Sequence, residues 1–255
     1  MLVFRSLLFN AAFYVNLVIW LVLLLPAMLV PRRVFMSGAK LWARSSLWLL
    51  RVLAGTKIEV RGKEKIPQGG LLVASKHQSL WETFALLPLF DDPAFILKRE
   101  LMWIPFFGWY TWKGGSVPVN RKAGSQALLQ MTARAREEAK RGRQILIFPE
   151  GTRRPAGAPP AYKFGVAHLY QNLGVPCVPV ALNSGLYWPR RRFIRRPGTI
   201  RVEILDPIPP GLARDVFFNQ MQEGIEAASD RLLAEGCREL GLDLRPGTSA
   251  SLSKA

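Results

Sequence analysis

The chain has 255 residues, with 35 Lys or Arg against 18 Asp or Glu, so its net charge is +17. Its 49% hydrophobic residues exclude extended disorder and suffice for one main core. Arginine outnumbers lysine 24 to 11, which favours phosphate or carboxylate partners because guanidinium binds oxyanions through paired hydrogen bonds. Two cysteines and two histidines, distant from each other in sequence, provide neither a disulfide framework nor a Cys/His zinc site, so we predict no metal.

The N-terminal segment has the composition of a membrane anchor. Residues 6–31 carry no charge, and as a helix they would extend about 39 Å against about 30 Å of hydrocarbon. Residues 35–54 mix Leu and Trp with three basic residues, as interfacial helices do. We therefore predict an anchor over 1–54, either a span plus a surface helix or a helix hairpin in one leaflet. A buried core helix is the alternative. Arg32 and Arg33 place the following domain on the cytoplasmic side.

After Gly55 the pattern changes to short apolar runs alternating with helical stretches. The predicted strands are 58–60, 71–74, 95–97, 145–148, 178–182 and 200–204, and the predicted helices are 82–90, 122–141, 162–173 and 214–240. This alternation predicts an α/β domain, a sheet flanked by helices with its sites at strand ends. We assign 55–245 to this domain and the small, polar residues 246–255 to a disordered tail.

The loop after the second predicted strand contains a candidate base and its partner. A carboxylate such as Glu82 can hold the tautomer of His77 and stabilise the imidazolium. Five residues along one continuous helix would place the two side chains on different faces, so His77 must precede the helix. Ser79 and Glu82 form a capping-box pattern that supplies the turn. The alternative is that Glu82 only caps a helix and His77 is incidental.

Two further loops contain arginines that could bind phosphate. One runs from Lys113 to Arg121 and contains a glycine pair and a short strand that ends at the arginine. The other, residues 148–155, follows a strong strand and contains Glu150, Gly151, Thr152, Arg153 and Arg154. Glycine, hydroxyl and guanidinium groups suit phosphate contacts, although a surface arginine is more often simply solvated. A fourth loop, 175–180, reads as structural because prolines bracket its apolar strand.

Together these four loops resemble the bacterial 1-acyl-sn-glycerol-3-phosphate acyltransferases of the glycerolipid acyltransferase superfamily. The family's His-x4-Asp, Gly/Arg, Phe-Pro-Glu-Gly-Thr-Arg and Val-Pro motifs correspond to residues 77–82, 114–121, 148–153 and 175–179, in the same order. Glu82 stands where the family usually has Asp, which keeps the charge and adds one methylene. The resemblance covers about residues 50–210.

The resemblance implies a mixed sheet flanked by helices and the transfer of an acyl group to the sn-2 hydroxyl of lysophosphatidate. It makes His77 the base and Glu82 its partner. It assigns phosphate and acceptor binding to Arg121, Glu150, Gly151, Thr152 and Arg153. Being anionic, Glu150 is expected to orient an arginine or the loop. The implied donor is acyl-CoA or acyl-acyl carrier protein, with no other cofactor and no metal. The implied location is the bacterial inner membrane, with the catalytic domain on its cytoplasmic side.

Three other functions remain open at this point. The enzyme could acylate another lysolipid, such as a lyso-ornithine lipid. A non-catalytic protein that binds anionic lipid would explain the charge and the anchor, but not His77 and Glu82. A nucleic-acid binder would explain the basicity, but no helix-turn-helix, zinc-finger or RNA-recognition signature is present and the apolar N-terminus would have no purpose. We therefore expect no nucleic-acid partner. The six arginines in 190–201 are expected to face an anionic membrane surface.

Overall fold

The computed structural model describes residues 1–120 and 124–242. The helices are α1 (Leu2–Leu23), α2 (Arg32–Leu49), α3 (Glu82–Ala85), α4 (Phe107–Lys113), α5 (Gly124–Lys140), α6 (Gly165–Leu173), α7 (Ser184–Tyr187) and α8 (Arg214–Leu240). The strands are β1 (Thr56–Arg61), β2 (Leu71–Ser75), β3 (Pro93–Lys98), β4 (Val117–Val119), β5 (Gln144–Ile147), β6 (Cys177–Leu182) and β7 (Gly198–Ile204).

One seven-stranded sheet forms the centre of the fold, in the order β1-β7-β6-β2-β5-β3-β4. The pairs β6–β2, β2–β5, β5–β3 and β3–β4 are parallel, whereas β7 runs antiparallel to β6 and carries β1 parallel to itself. The sheet is therefore mixed, as the resemblance implies. Because β2 and β5 are parallel neighbours, the loops that follow them meet at one edge of the sheet.

The six predicted strands are confirmed, and their burial follows their pattern. All five residues of β2 are buried, as expected for a central strand covered on both faces, whereas β7 alternates between buried and half-buried residues. Two predicted helices are shorter than expected. The helix predicted over 162–173 begins at Gly165. α3 ends at Ala85, and a 3-10 turn over Leu87–Leu89 follows it. Pro88 lies in that turn, where its missing N–H prevents the α-helix from continuing.

The first two helices form an antiparallel hairpin against the sheet domain. The aromatic rings of Phe9 and Phe13 are buried against Trp188. Their ring centroids lie 5.2 Å and 5.4 Å, respectively, from that of Trp188. Asn16 joins the two helices through hydrogen bonds of 3.0 Å to Ser45 and Ser46. Residues of both helices thus belong to the same hydrophobic cluster as the central strands.

Helix α1 is attached to the domain near both of its ends. Near its start, the Arg195 N–H donates to Ser6 Oγ at 2.9 Å and the Asn10 amide donates to the Phe193 carbonyl at 2.9 Å. Near its end, the Tyr110 hydroxyl donates to the Leu21 carbonyl. Its outer face is apolar and exposed. Among the described residues, α1 is the one helix long and apolar enough to cross a membrane, and only 17% of that stretch is buried.

Candidate active site

The centre of the site is a hydrogen-bonded pair at the end of β2. His77 Nδ1 lies 2.9 Å from Glu82 Oε1. The Glu82 side chain is fully buried and the imidazole is 12% exposed, so only the histidine is open to a substrate. His77 precedes α3, which begins at Glu82, and the chain turns between them as the spacing requires. With Glu82 at Nδ1, the other ring nitrogen, Nε2, is the one available as a base.

Four donors hold the Glu82 carboxylate in place. Besides His77, its Oε1 accepts the backbone N–H groups of Gln78 and Ser79, each at 2.6 Å. Its Oε2 accepts the hydroxyl of Ser184 at 2.8 Å. The Glu82–Ser79 bond is half of a capping box, whereas the Ser79 hydroxyl accepts from Trp81 rather than from Glu82. The carboxylate therefore both shapes the turn and orients the imidazole.

The imidazole is fixed from a second direction by the neighbouring strand. Its ring stacks on Phe148 with centroids 4.1 Å apart and an angle of 16° between the planes. The Arg154 backbone N–H donates to the His77 carbonyl at 2.8 Å, which ties the two loops together. Phe148 and Arg154 flank the Glu150–Arg153 loop, so the first and third motifs form one structural unit.

A buried charge cluster lies directly behind His77. Lys76 Nζ donates to Glu150 Oε1 at 3.1 Å and to Glu226 Oε1 at 2.6 Å, and Tyr162 donates to the same oxygen of Glu226 at 2.6 Å. Glu150 Oε2 accepts the backbone N–H of His77 at 3.4 Å. The Lys76 and Glu150 side chains are 3% and 0% exposed. Burial raises the pKa of Glu150, and Lys76 opposes that rise.

Glu150 therefore contacts the protein, not the open part of the site. It was expected to orient an arginine or the loop. Its cationic partner is a lysine, and its bond to the His77 backbone fixes the loop.

The residues that follow Glu150 face the solvent side of the site. Gly151 has φ +66°, a conformation that glycine adopts without strain, and the Thr152 side chain is exposed. Arg153 is half-buried, and its guanidinium makes no hydrogen bond or ion pair with any described residue. Burial lowers the pKa of Arg153, Glu82 raises it, and Arg190 and Arg191 lower it. Arg190 donates to the Arg153 carbonyl at 2.9 Å.

Arg153, Arg190 and Arg191 thus lie close together beside His77 and Glu82. No carboxylate among the described residues is bonded to Arg153. Such a group can bind a dianionic phosphate. Arg121, the remaining predicted phosphate ligand, lies outside the described residues, and so does the predicted tail 246–255.

An apolar cavity of about 250 Å³ opens beside His77. Strands β3, β4 and β5 form one side, helices α5 and α6 the other, and the Gly151 loop lies at the rim. Its lining residues are His77, Ile96, Leu97, Val119, Gly124, Ala127, Leu128, Met131, Ile147, Phe148, Pro149, Gly151, Lys163, Gly165 and Val166. Apart from His77 and Lys163, the lining side chains are apolar, so the histidine can act on a polar atom attached to a long apolar chain.

Sequence reasoning did not single out several of these site residues, among them Lys76, Ser184 and Glu226. Lys76 precedes His77 and gives no signal of its own. Ser184 lies just after β6, the apolar strand that overlaps the segment 175–180 interpreted as structural, and its position at the carboxyl end of that strand could have marked it. Glu226 lies on α8, in no motif, and only the tertiary structure brings it to Lys76. Among the described residues, no group of three or more His, Cys, Asp or Glu side chains could hold a metal ion.

Residues 57–183 match the model of a protein family described as Acyltransferase. The chain belongs to this acyltransferase family. The matched range contains His77, Glu82 and the loop from Glu150 to Arg153, which confirms the resemblance predicted from the four loops.

The relatives of this acyltransferase-family chain include bacterial and animal proteins. It is 44% identical over 163 residues to the 1-acyl-sn-glycerol-3-phosphate acyltransferase of Pseudomonas aeruginosa, which is 64% of this chain and 63% of that protein. It is 28% identical over 242 residues to 1-acyl-sn-glycerol-3-phosphate acyltransferase alpha of Mus musculus, covering 90% of this chain and 85% of that protein. The chain thus spans less than two thirds of the Pseudomonas relative.

The predicted fold class is confirmed by a solved structure. The crystal structure of the 1-acyl-sn-glycerophosphate acyltransferase of Thermotoga maritima matches with a TM-score of 0.76 over 91% of this chain and 99% of that one. The two sequences are 24% identical, so the match establishes the fold of this acyltransferase-family chain.

Proposed function

We propose that this protein transfers a fatty acyl group from a thioester donor to the sn-2 hydroxyl of lysophosphatidate, producing phosphatidate. The observation that carries the proposal is the His77–Glu82 pair at the wall of a largely apolar cavity. The guanidinium of Arg153, which bonds to no described residue, lies beside that pair. The names of the bacterial and mouse relatives support the same reaction.

In the proposed reaction, His77 Nε2 takes the proton of the acceptor hydroxyl as its oxygen attacks the thioester carbonyl. Glu82 stabilises the imidazolium that forms. When the tetrahedral intermediate collapses, the carbon–sulfur bond breaks and the departing thiolate receives the proton from His77. The products are an ester and a free thiol. No side-chain nucleophile is needed, and the residues around His77 Nε2 include no Gly-x-Ser-x-Gly elbow.

We assign the acceptor phosphate to the arginines at the mouth of the site. Arg153 supplies a guanidinium that no described carboxylate neutralises, and Arg121 is its expected companion. Gly151 and Thr152 can add backbone and hydroxyl contacts. Glu150 acts through the loop, because its carboxylate is fully buried and bonded to Lys76.

We assign the acyl chain of one substrate to the apolar cavity. Burying each methylene there contributes about 0.8 kcal/mol. The donor would be acyl-CoA or acyl-acyl carrier protein, and no other cofactor is required. Both donors are cytoplasmic molecules in bacteria, which fits a domain on the cytoplasmic side of the inner membrane.

We further propose that residues 1–54 form a hairpin in one leaflet rather than a span. α1 is attached to the same domain near both ends, through Ser6 and Asn10 at its start and through Leu21 at its end. If a helix attached in this way crossed the bilayer, part of the attached domain would have to enter the hydrocarbon core, which is about 30 Å thick. Its exposed apolar face can instead lie in the outer part of the leaflet, with the α/β domain of residues 55–245 on the cytoplasmic surface.

The decisive assay uses purified full-length protein, labelled acyl-CoA or acyl-acyl carrier protein, and a panel of acceptors that includes lysophosphatidate and a lyso-ornithine lipid. We expect labelled phosphatidate from the wild type and none from His77→Ala. Acylation of the lyso-ornithine lipid alone would reassign the acceptor. Binding to lysophosphatidate vesicles without any turnover would instead support the non-catalytic alternative.

A further inference from the structure

A second apolar surface lies outside the N-terminal hairpin. Residues 101–112 contain no charged side chain, and seven of these twelve residues are large, apolar and exposed. Trp103 is 72% exposed and Trp112 is 66% exposed. We call residues 101–112 the aromatic surface; its exposed members are Leu101, Trp103, Ile104, Phe106, Phe107, Trp109 and Trp112. Soluble proteins rarely expose an apolar group of this size without a partner.

The backbone holds this surface in a defined conformation. A Cβ on Gly108 would lie 1.9 Å from the carbonyl oxygen of Met102, so only glycine permits α4 to pack on the 3-10 turn over Arg99–Trp103. Phe106 has φ +61°, a backbone conformation that a residue with a side chain rarely adopts. Such strain persists where the surroundings impose it, often at binding surfaces. The aromatic side chains are thus displayed by a fixed structure.

The aromatic surface adjoins the tip of the N-terminal hairpin. Lys113 Nζ donates to the Met28 carbonyl, in the turn between α1 and α2, at 2.9 Å. The Tyr110 ring is buried against Phe35 with centroids 5.5 Å apart. The hairpin tip is itself exposed and apolar, with Leu29 at 92% exposure. The two apolar surfaces therefore lie side by side.

The charges around the aromatic surface match a membrane interface. Lys98 and Arg99 are exposed just before it, and Lys113 follows it directly. Glu100 lies between Arg99 and the surface, with its carboxylate 3.3 Å from Lys98 Nζ, so the flanking charges remain positive on balance. Tryptophan at the boundary of hydrocarbon and headgroups, with basic residues beside it, is the arrangement that membrane interfaces favour. The surface also connects β3 to β4, which supply Leu97 and Val119 to the walls of the cavity.

We propose that the aromatic surface is a second membrane-contact site, which lies at the headgroup level of an anionic bilayer beside the hairpin. This inference rests on the proposed membrane-bound acyl transfer and adds a contact that lies outside residues 1–54. When the aromatic surface contacts the membrane, it holds the cavity walls formed by β3 and β4 against the leaflet that supplies the lysolipid. Acceptor can then reach His77 without crossing water.

The test places an environment-sensitive fluorophore at single cysteines in the full-length protein, bound to phosphatidylethanolamine–phosphatidylglycerol vesicles. Cys177 and Cys237 are buried, so labelling is directed to Trp103→Cys, Trp109→Cys or Trp112→Cys. Ile19→Cys on α1 reports the hairpin. Leu129→Cys on α5 is the matched control, because Leu129 is 61% exposed and belongs neither to the aromatic surface nor to the hairpin.

We expect lipids carrying a nitroxide on the acyl chain to quench labels at 103, 109 and 112, and aqueous iodide to leave those labels bright. The label at 129 should show the reverse. If the labels on the aromatic surface behave like 129 while the label at 19 is quenched by lipid, the proposal is overturned and the hairpin proposal survives. If the label at 19 is also open to iodide, the membrane-bound arrangement itself fails.

A kinetic measurement provides a second readout. The Trp103→Ser/Trp109→Ser/Trp112→Ser variant should raise KM for lysophosphatidate in vesicles severalfold and leave kcat and KM in detergent micelles near wild type. Leu129→Ser should change neither. An unchanged KM in vesicles for the triple variant would overturn the proposal, because no contact that delivers the acceptor would have been lost.

Discussion

At the scale of single residues, the pair of His77 and Glu82 makes the sharpest prediction. We expect His77→Ala to abolish measurable acyl transfer, because a positioned general base contributes about 10²- to 10⁴-fold. Glu82→Gln should lower kcat strongly, since a neutral amide cannot offset the imidazolium charge. Initial rates with labelled donor give the measurement. Thermal unfolding and vesicle binding of both variants should stay near wild type.

Glu137→Gln is the matched control for the loss of one carboxylate, because Glu137 lies exposed on α5. Its rate should equal that of the wild type. Acyl transfer by His77→Ala at more than a few per cent of the wild-type rate would remove the imidazole from the mechanism.

Arg153 makes a separate prediction about the acceptor. Arg153→Ala should raise KM for lysophosphatidate and leave the donor KM nearly unchanged, because we assign the acceptor phosphate to this guanidinium, which bonds to no described residue. A lost charge-assisted contact corresponds to about 1.5–3 kcal/mol, or roughly ten- to 150-fold. Arg153→Lys should recover only part of this, since lysine lacks the planar fork. Arg136→Ala, an exposed arginine on α5, is the control. Normal use of lysophosphatidate by Arg153→Ala would place the phosphate elsewhere.

At the scale of elements, the buried cluster joins α8 to the loops after β2 and β5. Lys76→Met should destabilise the protein by about 3–5 kcal/mol, because it leaves Glu150 buried without its cation. Adding Glu150→Gln should restore much of that stability, since the amide oxygen can still accept the His77 N–H. Denaturant unfolding measures both changes.

Lys140→Met, at an exposed lysine on α5, is the control for the loss of a cation. If Lys76→Met were as stable as Lys140→Met, the buried cluster would not stabilise the loops after β2 and β5. The contact of Lys76 with Glu226 would then not stabilise the packing of α8 against these loops.

A second element-scale prediction concerns the attachment of the hairpin at different pH. Arg32, the first residue of α2, is paired with Asp92, which Arg143 also contacts at 3.3 Å. Burial alone would raise the pKa of Asp92, but the hydrogen bond and charge of Arg32, together with Arg143, hold it below 3.8. The stabilisation from this carboxylate is therefore present above pH 3.8 and is lost as pH falls through the lowered pKa.

The measurement compares the Tm of wild type and Asp92→Asn from neutral pH down to pH 3. The Tm difference should be largest near neutral pH and should narrow as the pH falls below 3.8, because the carboxyl of the unfolded protein is protonated first. It should close once the pH passes the lowered pKa and the folded wild type also carries a neutral side chain. Asp91→Asn, at the exposed neighbour of Asp92, should show no such gap. A gap that stayed constant down to pH 3 would mean that the ion pair does not stabilise the attachment.

At the scale of the whole molecule, the hairpin serves both the core and the proposed membrane surface. Phe13 is 3% exposed and packs on Phe84 and Trp188, whereas Ile19 on the same helix is 50% exposed. Phe13→Asp should therefore unfold the protein. Ile19→Asp should leave its Tm near wild type and weaken its binding to vesicles, because a charge on the inserted face of α1 would have to enter the apolar part of the leaflet; the cost reaches about 2.5–3.5 kcal/mol at the centre of a bilayer and is smaller near its surface.

Full-length wild type should remain on vesicles in 1 M salt and leave them in detergent. In 1 M salt the Debye length is about 3 Å, so the attraction between basic residues and headgroups is lost, whereas apolar insertion is not weakened. Flotation on a density gradient measures this binding. Release by salt alone would show that α1 is not inserted.

The sequence by itself determined the local elements and the chemistry of the loops. Alternating burial on β7, the apolar run of β2 and the helical period of α5 are properties of short stretches, so they could be read directly. The spacing of His77 and Glu82 required a turn between them, and their 2.9 Å contact meets that requirement.

Only the tertiary structure decided which distant groups share the site. The parallel pairing of β2 with β5 places Glu150 beneath the His77 backbone, and the packing of α8 brings Glu226 to Lys76. The hydroxyl of Ser184 reaches Glu82 across 102 positions of sequence. These contacts join residues from separate elements, and their energies depend on burial and geometry that appear only when the sheet is assembled. The position of α1 against the domain has the same origin, because its long apolar sequence is compatible both with crossing a bilayer and with lying along one face of the protein.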